Sequence, residues 1–318
     1  MATEHFCTLF DLGYLPQGMV LRESLERHVR DFTLWILCMD AEVEAALRRL
    51  DLPSVRIIPL AEIETPELLA VKEGRSRGEY CWTMSPFLPR FVLDRDPGIQ
   101  RVTYLDADVL VLNGFRPIFE DLERSGKHVL YTEHGFAAEY DQSYQSGRFC
   151  VQLLTYRNTP EARRVLDWWG DRCLEWCFAR SEGGKYGDQR YLDHWERLFP
   201  DETHILQRPE LTLAPWNAVR FPIGSAVIYH FHGLRLYENG RIHLWEWYRI
   251  PLFTFISAYC QYAQYLRDMV ARMGEAGVAG RFRKAPRPTW ESIKLRMQGR
   301  YQDGHWDRMA RKFDSFRG

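Results

Sequence analysis

Two aspartates directly after an apolar run are the strongest chemical signal in this 318-residue sequence. Residues 101–105 have the pattern of a strand, and Asp106 and Asp108 follow it. Residues two apart on an extended chain point the same way, so both carboxylates are expected to face one cation. Mg²⁺ and Mn²⁺ prefer such oxygen ligands and keep coordination positions free for phosphate groups. We therefore predict a divalent metal site that binds a phosphate-bearing ligand.

A second D-x-D triplet, Asp94 to Asp96, shows that the triplet alone is weak evidence. It stands before Pro97 and Gly98 in a polar stretch, which is typical of a turn. We predict a solvated loop there and no metal site.

A second apolar run, residues 226–229, leads into His230 and His232, followed by Gly233. A glycine lets a diphosphate approach the backbone closely, and an imidazole nitrogen can complete a metal shell. The two histidines lie on the same side of an extended strand, so periodicity does not choose between them. The alternative is that both are core histidines with satisfied hydrogen bonds.

A glycine-rich loop, residues 182–187, leads through Asp188 and Gln189 into an apparent helix. On one interpretation Asp188 is the N-cap of that helix. On the other, Asp188 and Gln189 bind sugar hydroxyls from a rigid element. Three glycines in five residues exceed what a cap requires, which favours the second interpretation.

The elements that must position these residues alternate between strand and helix. Asp40 is a suitable N-cap for a helix over 41–50, and Thr159 with Pro160 begins the clearest helix in the chain. Alternation of this kind predicts an α/β fold with a parallel sheet covered by helices. The predicted strands are residues 5–10, 32–39, 55–60, 101–105, 128–132 and 149–156, with a first helix at 19–29.

The C-terminal part has a different composition. Residues 250–273 look helical and aromatic, so we predict a main domain over 1–249 and a helical appendage over 250–318. From Arg281 onward the net charge is +7, against about −8 for residues 1–280. Basic residues interleaved with aromatic rings suit an anionic membrane surface. The alternative is a basic helix packed on the acidic body.

Composition excludes some functional classes. The formal net charge of −1 argues against a nucleic-acid partner. There is no run of about twenty apolar residues, and Glu4 and His5 stand where a secretion signal would be basic and then apolar. We predict that the protein is located in the cytoplasm and that its C-terminal tail contacts the inner face of a membrane.

The order of the motifs resembles glycosyltransferase family 8 and its bacterial relatives of the GT-A fold. The resemblance spans roughly residues 5–235: a first strand followed by Asp11 and Tyr14, the Y-L-D-A-D-V-L-V run, G-D-Q before a helix, and H-F-x-G. It implies a Rossmann-like, mixed and mostly parallel sheet flanked by helices. It also implies transfer of a sugar, with retention, from a nucleotide-diphosphate donor, UDP-sugar favoured, to a glycan or lipid-linked acceptor.

The same resemblance implies roles for individual residues. Arg235 stands near the position where the family has a lysine that binds the diphosphate. The usual arginine in the helix before the D-x-D strand has no clear equivalent, because prolines interrupt that region and Arg90 is shifted. The implied roles are Mn²⁺ or Mg²⁺ ligands (Asp106, Asp108, His230), catalytic residues (Asp188, Gln189), nucleotide contacts (Thr8, Phe10, Asp11, Tyr14) and sugar or diphosphate contacts (Ala107, Gly147, Lys185, Gly233, Arg235).

Two other functions fit part of the pattern. A sugar nucleotidyltransferase shares the sheet and the metal, but it usually has a basic glycine-rich loop after the first strand, and residues 11–18 contain no Lys or Arg. A non-catalytic carbohydrate-binding protein would use the eleven tryptophans to stack on sugars. If the enzyme inverted configuration, Asp188, Asp193 or Glu133 would be the first candidates for the base.

Overall fold

The computed structural model describes residues 3–287, 289–305, 307–309 and 311–312. Its strands are β1 (Glu4–Phe10), β2 (Phe32–Cys38), β3 (Val55–Pro59), β4 (Arg101–Leu105), β5 (Val109–Val111), β6 (Val129–Glu133), β7 (Phe149–Arg157), β8 (Thr203–Ile205), β9 (Thr212–Leu213), β10 (Ile228–His230), β11 (Arg235–Leu236), β12 (Arg241–Glu246) and β13 (Tyr301–His305).

The α-helices are α1 (Leu15–His28), α2 (Ala41–Leu50), α3 (Leu60–Ile63), α4 (Pro66–Lys72), α5 (Arg77–Met84), α6 (Phe87–Arg95), α7 (Arg116–Ser125), α8 (Ser143–Ser146), α9 (Pro160–Glu175), α10 (Trp195–Leu198), α11 (Leu252–Thr254), α12 (Gln261–Glu275) and α13 (Trp290–Met297). A π-helical segment, Phe255–Cys260, runs directly into α12. Short 3-10 turns lie at Leu12–Tyr14, Ala138–Tyr140, Gln189–His194, Pro209–Leu211, Ile223–Ser225 and Glu238–Gly240.

Within the described residues, the central sheet has the strand order β3-β2-β1-β4-β7-β6-β8. Strand β1 pairs in parallel with both β2 and β4, whereas β7 runs antiparallel to β4 and β6. The predicted mixed, mostly parallel sheet flanked by helices is therefore confirmed. The order reverses between β1 and β4, and open α/β sheets bind ligands outside the carboxyl ends of the strands at such a switch point.

Alternate side chains of β1 enter two cores on opposite faces of the sheet. Phe6 and Phe10 belong to the core under α1 and α2, and Cys7 and Leu9 belong to the core under α5, α6 and α9. The ring of Phe10 comes within 2.3 Å of the point where a Cβ on Gly18 would lie. Only glycine therefore allows α1 to pack this closely over the end of β1.

Most local predictions are confirmed. Asp40 accepts a hydrogen bond from the Val43 amide at 2.8 Å, and Thr159 accepts one from Ala162 at 3.3 Å, as expected of N-caps. The predicted strands agree with the structure to within a residue at each end. The first helix begins at Leu15, four residues before its predicted start. The reason is a proline in the first turn, a position that proline suits.

The second D-x-D triplet does not lie in a loop as predicted. Asp94 lies in the last turn of α6, and Asp96 follows that helix. The Asp94 carboxylate is exposed and pairs with Arg90 and Arg163. Its surroundings are a network of surface ion pairs.

The C-terminal segment is helical only in part. Helix α12 lies against α1, with the guanidinium of Arg27 4.2 Å from the ring centre of Tyr265. Further on, β13 pairs with β12, so segments from both sides of the predicted boundary at 249/250 share one small sheet. The boundary itself stays a prediction. None of the helices in the described ranges has the length and apolar composition needed to cross a membrane.

Candidate functional site

A cleft of about 870 Å³ opens at the carboxyl ends of β1 and β4, at the switch point of the sheet. Its walls bring together most of the residues that the sequence singled out. Those residues are Phe10, Asp11, Tyr14, Asp106, Ala107, Asp108, Asp188, Gln189, His230, Gly233 and Arg235.

The two aspartates of the D-x-D motif lie in a tight turn between β4 and β5. The Val109 amide donates to the Asp106 carbonyl at 3.3 Å, so the chain is not extended there as predicted. The Asp106 amide donates to the carbonyl of Gln152 at 3.2 Å, which ties the turn to β7. The two carboxylates still lie close together, but it is the turn that brings them there and not the alternation of side chains along a strand.

Sheet pairing brings His230 to the same point. Strand β10 pairs antiparallel with β5 and places His230 opposite Val109. The next amide, that of Phe231, donates to the Asp108 carbonyl at 2.9 Å. As a result His230 Nε2 lies 3.2 Å from Asp108 Oδ1 and 3.7 Å from Asp106 Oδ2. One possible ligand atom from each of the three side chains lies within 4.8 Å of the others.

The other ring nitrogen of His230 has a hydrogen-bond partner on β7. Its Nδ1 lies 3.1 Å from Oε1 of Gln152, which is fully buried on β7. An amide oxygen only accepts, so Nδ1 carries a proton and donates it. This bond orients the ring and directs Nε2 toward the carboxylates, as carbonyl and carboxylate partners do for metal-binding histidines.

The charges of the three groups depend on one another. Burial raises the pKa of Asp106 to about 6, against the opposing effect of His230. Burial acts on Asp108 in the same direction, but the charge and hydrogen bond of His230 outweigh it and lower that pKa to about 2. Burial lowers the pKa of His230 too, yet the two carboxylates hold it well above its usual value. Two carboxylates and an imidazole are a donor set that fits Mn²⁺ or Mg²⁺.

His232 has a different position, which the sequence could not resolve. Strand β10 ends at His230, and a turn closed by the Leu234 amide on the Phe231 carbonyl follows at 2.9 Å. His232 lies in that turn and is exposed to the cleft. The indole of Trp216 lies edge-on to both imidazoles, with ring centres 5.5 Å from His230 and 5.4 Å from His232. Only His230 belongs to the group of possible metal ligands among the described residues.

One end of the cleft is built around Asp11. Its Oδ1 accepts from the Gly13 amide at 3.0 Å, and its Oδ2 pairs with Arg77 of α5 at 2.9 Å. Arg77 also reaches Asp40 at 3.2 Å, so the carboxylates after β1 and β2 share one guanidinium. Tyr14 lines the same end, with the guanidinium of Arg235 5.5 Å from its ring centre.

Asp188 and Gln189 line the cleft on another side. The alternative that Asp188 caps the following helical turn is wrong, because its side chain makes no capping hydrogen bond. The carboxyl is 5% exposed, and burial raises its pKa to about 7 against a hydrogen bond with Ser85. The Gln189 amide donates to the Ser146 carbonyl at 2.8 Å, which fixes that side chain.

The structure does not bring three of the predicted residues to the cleft wall. The side chain of Thr8 is fully buried within the sheet. The ammonium group of Lys185 lies 5.4 Å from the ring centre of Trp176, on the glycine-rich hairpin beside the cleft. Gly147 lies behind the wall with φ +95°, where a Cβ would come within 3.1 Å of Asp193. Their predicted roles stay predictions.

Other residues of the site were missed from the sequence. Arg77 begins α5 directly after Ser76, which forms a capping box with Glu79. That S-x-x-E pattern is a helix signal, and it would have placed an arginine in the helical region before the D-x-D strand. Gln152 is a lone amide in the otherwise apolar centre of β7, and such a buried polar group requires a partner.

The basic C-terminal segment begins against the acidic body. Arg281 pairs with Asp40 at 3.2 Å and with Glu42 at 2.8 Å. Arg281 and Arg283 both line the cleft. Arg281 therefore packs on the acidic body, but it does so from an irregular stretch between α12 and α13 and not from the basic helix of the alternative.

Comparison with known proteins gives relatives and a fold. The chain is 34% identical over 260 residues to the uncharacterized protein YfnF of Bacillus subtilis strain 168, covering 76% of this chain and 84% of YfnF. It is 28% identical over 264 residues to the uncharacterized protein YfnD of the same organism, covering 79% of this chain and 84% of YfnD. A comparison with protein-family profiles gives no match.

Among solved structures, the glycosyltransferase GlyE of Streptococcus pneumoniae TIGR4 is similar at a TM-score of 0.50 and 17% identity. The match covers 72% of this chain and 54% of GlyE. At that identity the likeness shows the fold, and the predicted GT-A fold is thereby confirmed. The identity to YfnF over three quarters of the sequence shows more: the chain belongs to the same protein family as YfnF.

Proposed function

We propose that the protein is a metal-dependent glycosyltransferase. It takes a sugar from a nucleotide-diphosphate donor, UDP-sugar favoured, and transfers it with retention to a glycan or lipid-linked acceptor. The observation that carries the proposal is the convergence of Asp106, Asp108 and His230 in a cleft of about 870 Å³. That volume is typical of small-molecule sites.

The two sides of the cleft suit the two parts of such a donor. Asp11 and Tyr14 line the end proposed for the base, where an aromatic ring can stack and a carboxylate can accept hydrogen bonds. Asp188 and Gln189 line the side proposed for the transferred sugar. Arg235 lies near the metal group and the Tyr14 ring, where its charge would favour a diphosphate.

In the proposed reaction the bond between the anomeric carbon and the diphosphate oxygen breaks, and its electron pair leaves on the nucleoside diphosphate. The acceptor hydroxyl oxygen bonds to the anomeric carbon, and its proton passes to a diphosphate oxygen. A bound Mn²⁺ or Mg²⁺ would supply charge neutralisation for the diphosphate. The residues of the chain orient the donor and place fixed positive charge, from Arg235, near the leaving group.

Two of the three candidate bases for an inverting reaction lie outside the cleft. Glu133 pairs with Arg148, and Asp193 pairs with Arg190 at 3.0 Å. Of the three carboxylates that the sequence offered for an inverting reaction, only Asp188 lines the cleft. The resemblance to family 8 favours retention.

The direct test is donor turnover with purified protein. We expect Mn²⁺-dependent release of the nucleoside diphosphate from one member of a panel of UDP-, GDP- and dTDP-sugars. His230→Ala should reduce activation by Mn²⁺ about 10- to 100-fold, because it removes a ligand on which the metal depends. His232→Ala is the matched control, and its Mn²⁺ titration should stay close to that of the wild type.

Three results would contradict the proposal. The first is exchange of pyrophosphate without release of nucleoside diphosphate, which a nucleotidyltransferase would give. The second is no exchange and no release, which a carbohydrate-binding protein would give. A larger effect of His232→Ala than of His230→Ala would mean that the histidine assignment is wrong.

We also propose that residues 281–318 contact a membrane, at its cytoplasmic face, where a lipid-linked acceptor would be presented. Helix α13 supports this proposal with an exposed apolar stripe: Trp290 is 86% exposed, Ile293 41% and Met297 86%. Lys294 lies on the same helix, and exposed Lys284 and Arg287 precede it. Apolar side chains beside basic ones are typical of helices that lie in a membrane interface.

Vesicle binding tests the membrane contact. We expect the protein to sediment with vesicles that contain phosphatidylglycerol at low salt, and to be released by salt because the attraction is electrostatic in part. Trp290→Ser/Met297→Ser should abolish most of this binding. Leu252→Ser, which removes another apolar side chain that is 72% exposed, is the control. Equal sedimentation of the double variant and the wild type would exclude α13 as the contact.

A further inference from the structure

A second cavity of about 790 Å³ opens beside the donor cleft, and the proposed donor site does not use it. His232, Gly233 and Arg235 line both spaces, so the turn after β10 forms the ridge between them. The remaining walls come from residues 139–142, from Tyr237, from β12 and the residues after it, and from the C-terminal residues 286, 287 and 289–303. A molecule in this cavity would lie next to the contents of the cleft.

The wall carries an aromatic residue in an unusual backbone conformation. Trp247 has φ +73°, a left-handed conformation that bulky side chains rarely adopt. The Nε of Arg300 donates to its carbonyl at 2.9 Å and helps to hold this conformation. The indole is nevertheless 45% exposed, so the conformation is not explained by burial of the ring. Strained residues of this kind cluster at ligand sites, and an exposed indole is a surface on which a sugar ring can stack.

The same wall carries several guanidinium groups. Arg241 and Arg296 both reach Asp303, at 3.7 Å and 2.8 Å. Arg287 and Arg300 line the cavity too, and within the described residues neither forms an ion pair with a carboxylate. A guanidinium presents paired donors that match a carboxylate or a phosphate.

We propose that the second cavity is the acceptor site, and that the acceptor is an anionic saccharide. Trp247 stacks on a sugar ring, and Arg287 and Arg300 bind a carboxylate or phosphate group on the same molecule. The acceptor hydroxyl reaches the donor across the ridge at His232 and Gly233. This inference rests on the proposed function, because it requires a sugar donor in the adjoining cleft.

Binding measurements with the donor cleft occupied test the inference. The protein is saturated with UDP and Mn²⁺, and calorimetry or ligand-observed NMR then measures the affinity for methyl glucuronide, glucose 6-phosphate and neutral methyl glucoside. We expect one of the anionic probes to bind about tenfold more tightly than the glucoside, as a charge-assisted hydrogen bond provides. The two anionic probes distinguish a carboxylate from a phosphate as the preferred group.

Variants separate the contribution of the Trp247 ring to the affinity from that of the Arg287 charge. Trp247→Asn should weaken all sugar probes, and asparagine is chosen because it tolerates positive φ. Arg287→Gln should reduce the affinity for the anionic probe to that for the glucoside. Lys284→Gln removes a charge from the same segment outside either cavity, so it should leave every affinity unchanged.

The outcomes also separate this inference from the proposed function. If UDP with Mn²⁺ binds but no anionic probe is preferred, or the preference survives Arg287→Gln, the acceptor assignment is wrong and the donor site stands. If none of UDP, GDP and dTDP binds with Mn²⁺, the proposed function itself fails. Preference for an anionic probe that is lost in Arg287→Gln and retained in Lys284→Gln supports the inference.

Discussion

Asp108→Asn is expected to abolish metal-dependent donor turnover, by more than about 100-fold, while the protein remains folded. Asp108 is the carboxylate nearer to His230: it faces Nε2 at 3.2 Å, against 3.7 Å for Asp106, and its carbonyl accepts from Phe231 at 2.9 Å. An amide keeps the shape of the side chain but loses the charge that a hard cation requires. Turnover at saturating Mn²⁺ is the measurement, and substantial activity there would remove Asp108 from the metal site.

Stability gives a second readout for the same variant. From the sequence, two neighbouring carboxylates should repel, so removal of one should leave metal-free stability unchanged or improved. The structure reverses this expectation for Asp108, because His230 lowers its pKa to about 2. A carboxyl with a lowered pKa stabilises the fold above its unfolded pKa of about 3.9 and loses that contribution as the pH falls through its folded pKa.

We therefore expect metal-free Asp108→Asn to lose about 1 to 2 kcal/mol of unfolding free energy near neutral pH. Denaturation followed by circular dichroism measures this difference. Asp96→Asn is a matched control from the other D-x-D triplet, where the side chain accepts from the Gly98 amide at 2.9 Å. It should change neither turnover nor stability.

The sequence predicts the main elements well because their signals are local. Apolar, β-branched runs mark the central strands, and the side chains of Asp40 and Thr159 mark helix starts through contacts three residues away. The two aspartates of the D-x-D motif follow β4 directly, so strand prediction also predicts that they stand at the carboxyl edge of the sheet.

The details of the site depend on contacts between distant parts of the chain. The choice of His230 over His232 follows from where β10 stops pairing with β5, and no residue near the histidines encodes that point. The contact of Arg77 with Asp11 joins α5 to the end of β1, 66 residues apart. Trp247 adopts a positive φ although it is not a glycine, the residue that usually marks such a position. Its proposed contact with a sugar could therefore not be predicted from the local sequence.

Asp188→Asn is expected to reduce turnover about 100-fold or more while nucleotide binding stays nearly unchanged. The reason is position: Asp188 lines the cleft on the side proposed for the transferred sugar, and Asp11 and Tyr14 line the end proposed for the base. Calorimetry with UDP and Mn²⁺ measures binding, and the rate of nucleoside diphosphate release measures turnover. A large loss of UDP affinity would place the Asp188 loop at the nucleotide instead.

The pH dependence of the unfolding free energy tests whether burial raises the pKa of the Asp188 carboxyl. Burial raises its pKa to about 7, so in metal-free protein the folded state retains a proton that the unfolded state loses from about pH 3.9 upward. The stability contributed by this group is complete below about pH 3.9 and is lost as the pH rises toward 7. Asp188→Asn has no such loss, so its stability relative to the wild type should increase from about pH 4 to about pH 7 and then level off. Asp171→Asn, at an exposed carboxyl on α9, should show no such trend, and an equal trend in both variants would mean that Asp188 is ionised as freely as a surface group.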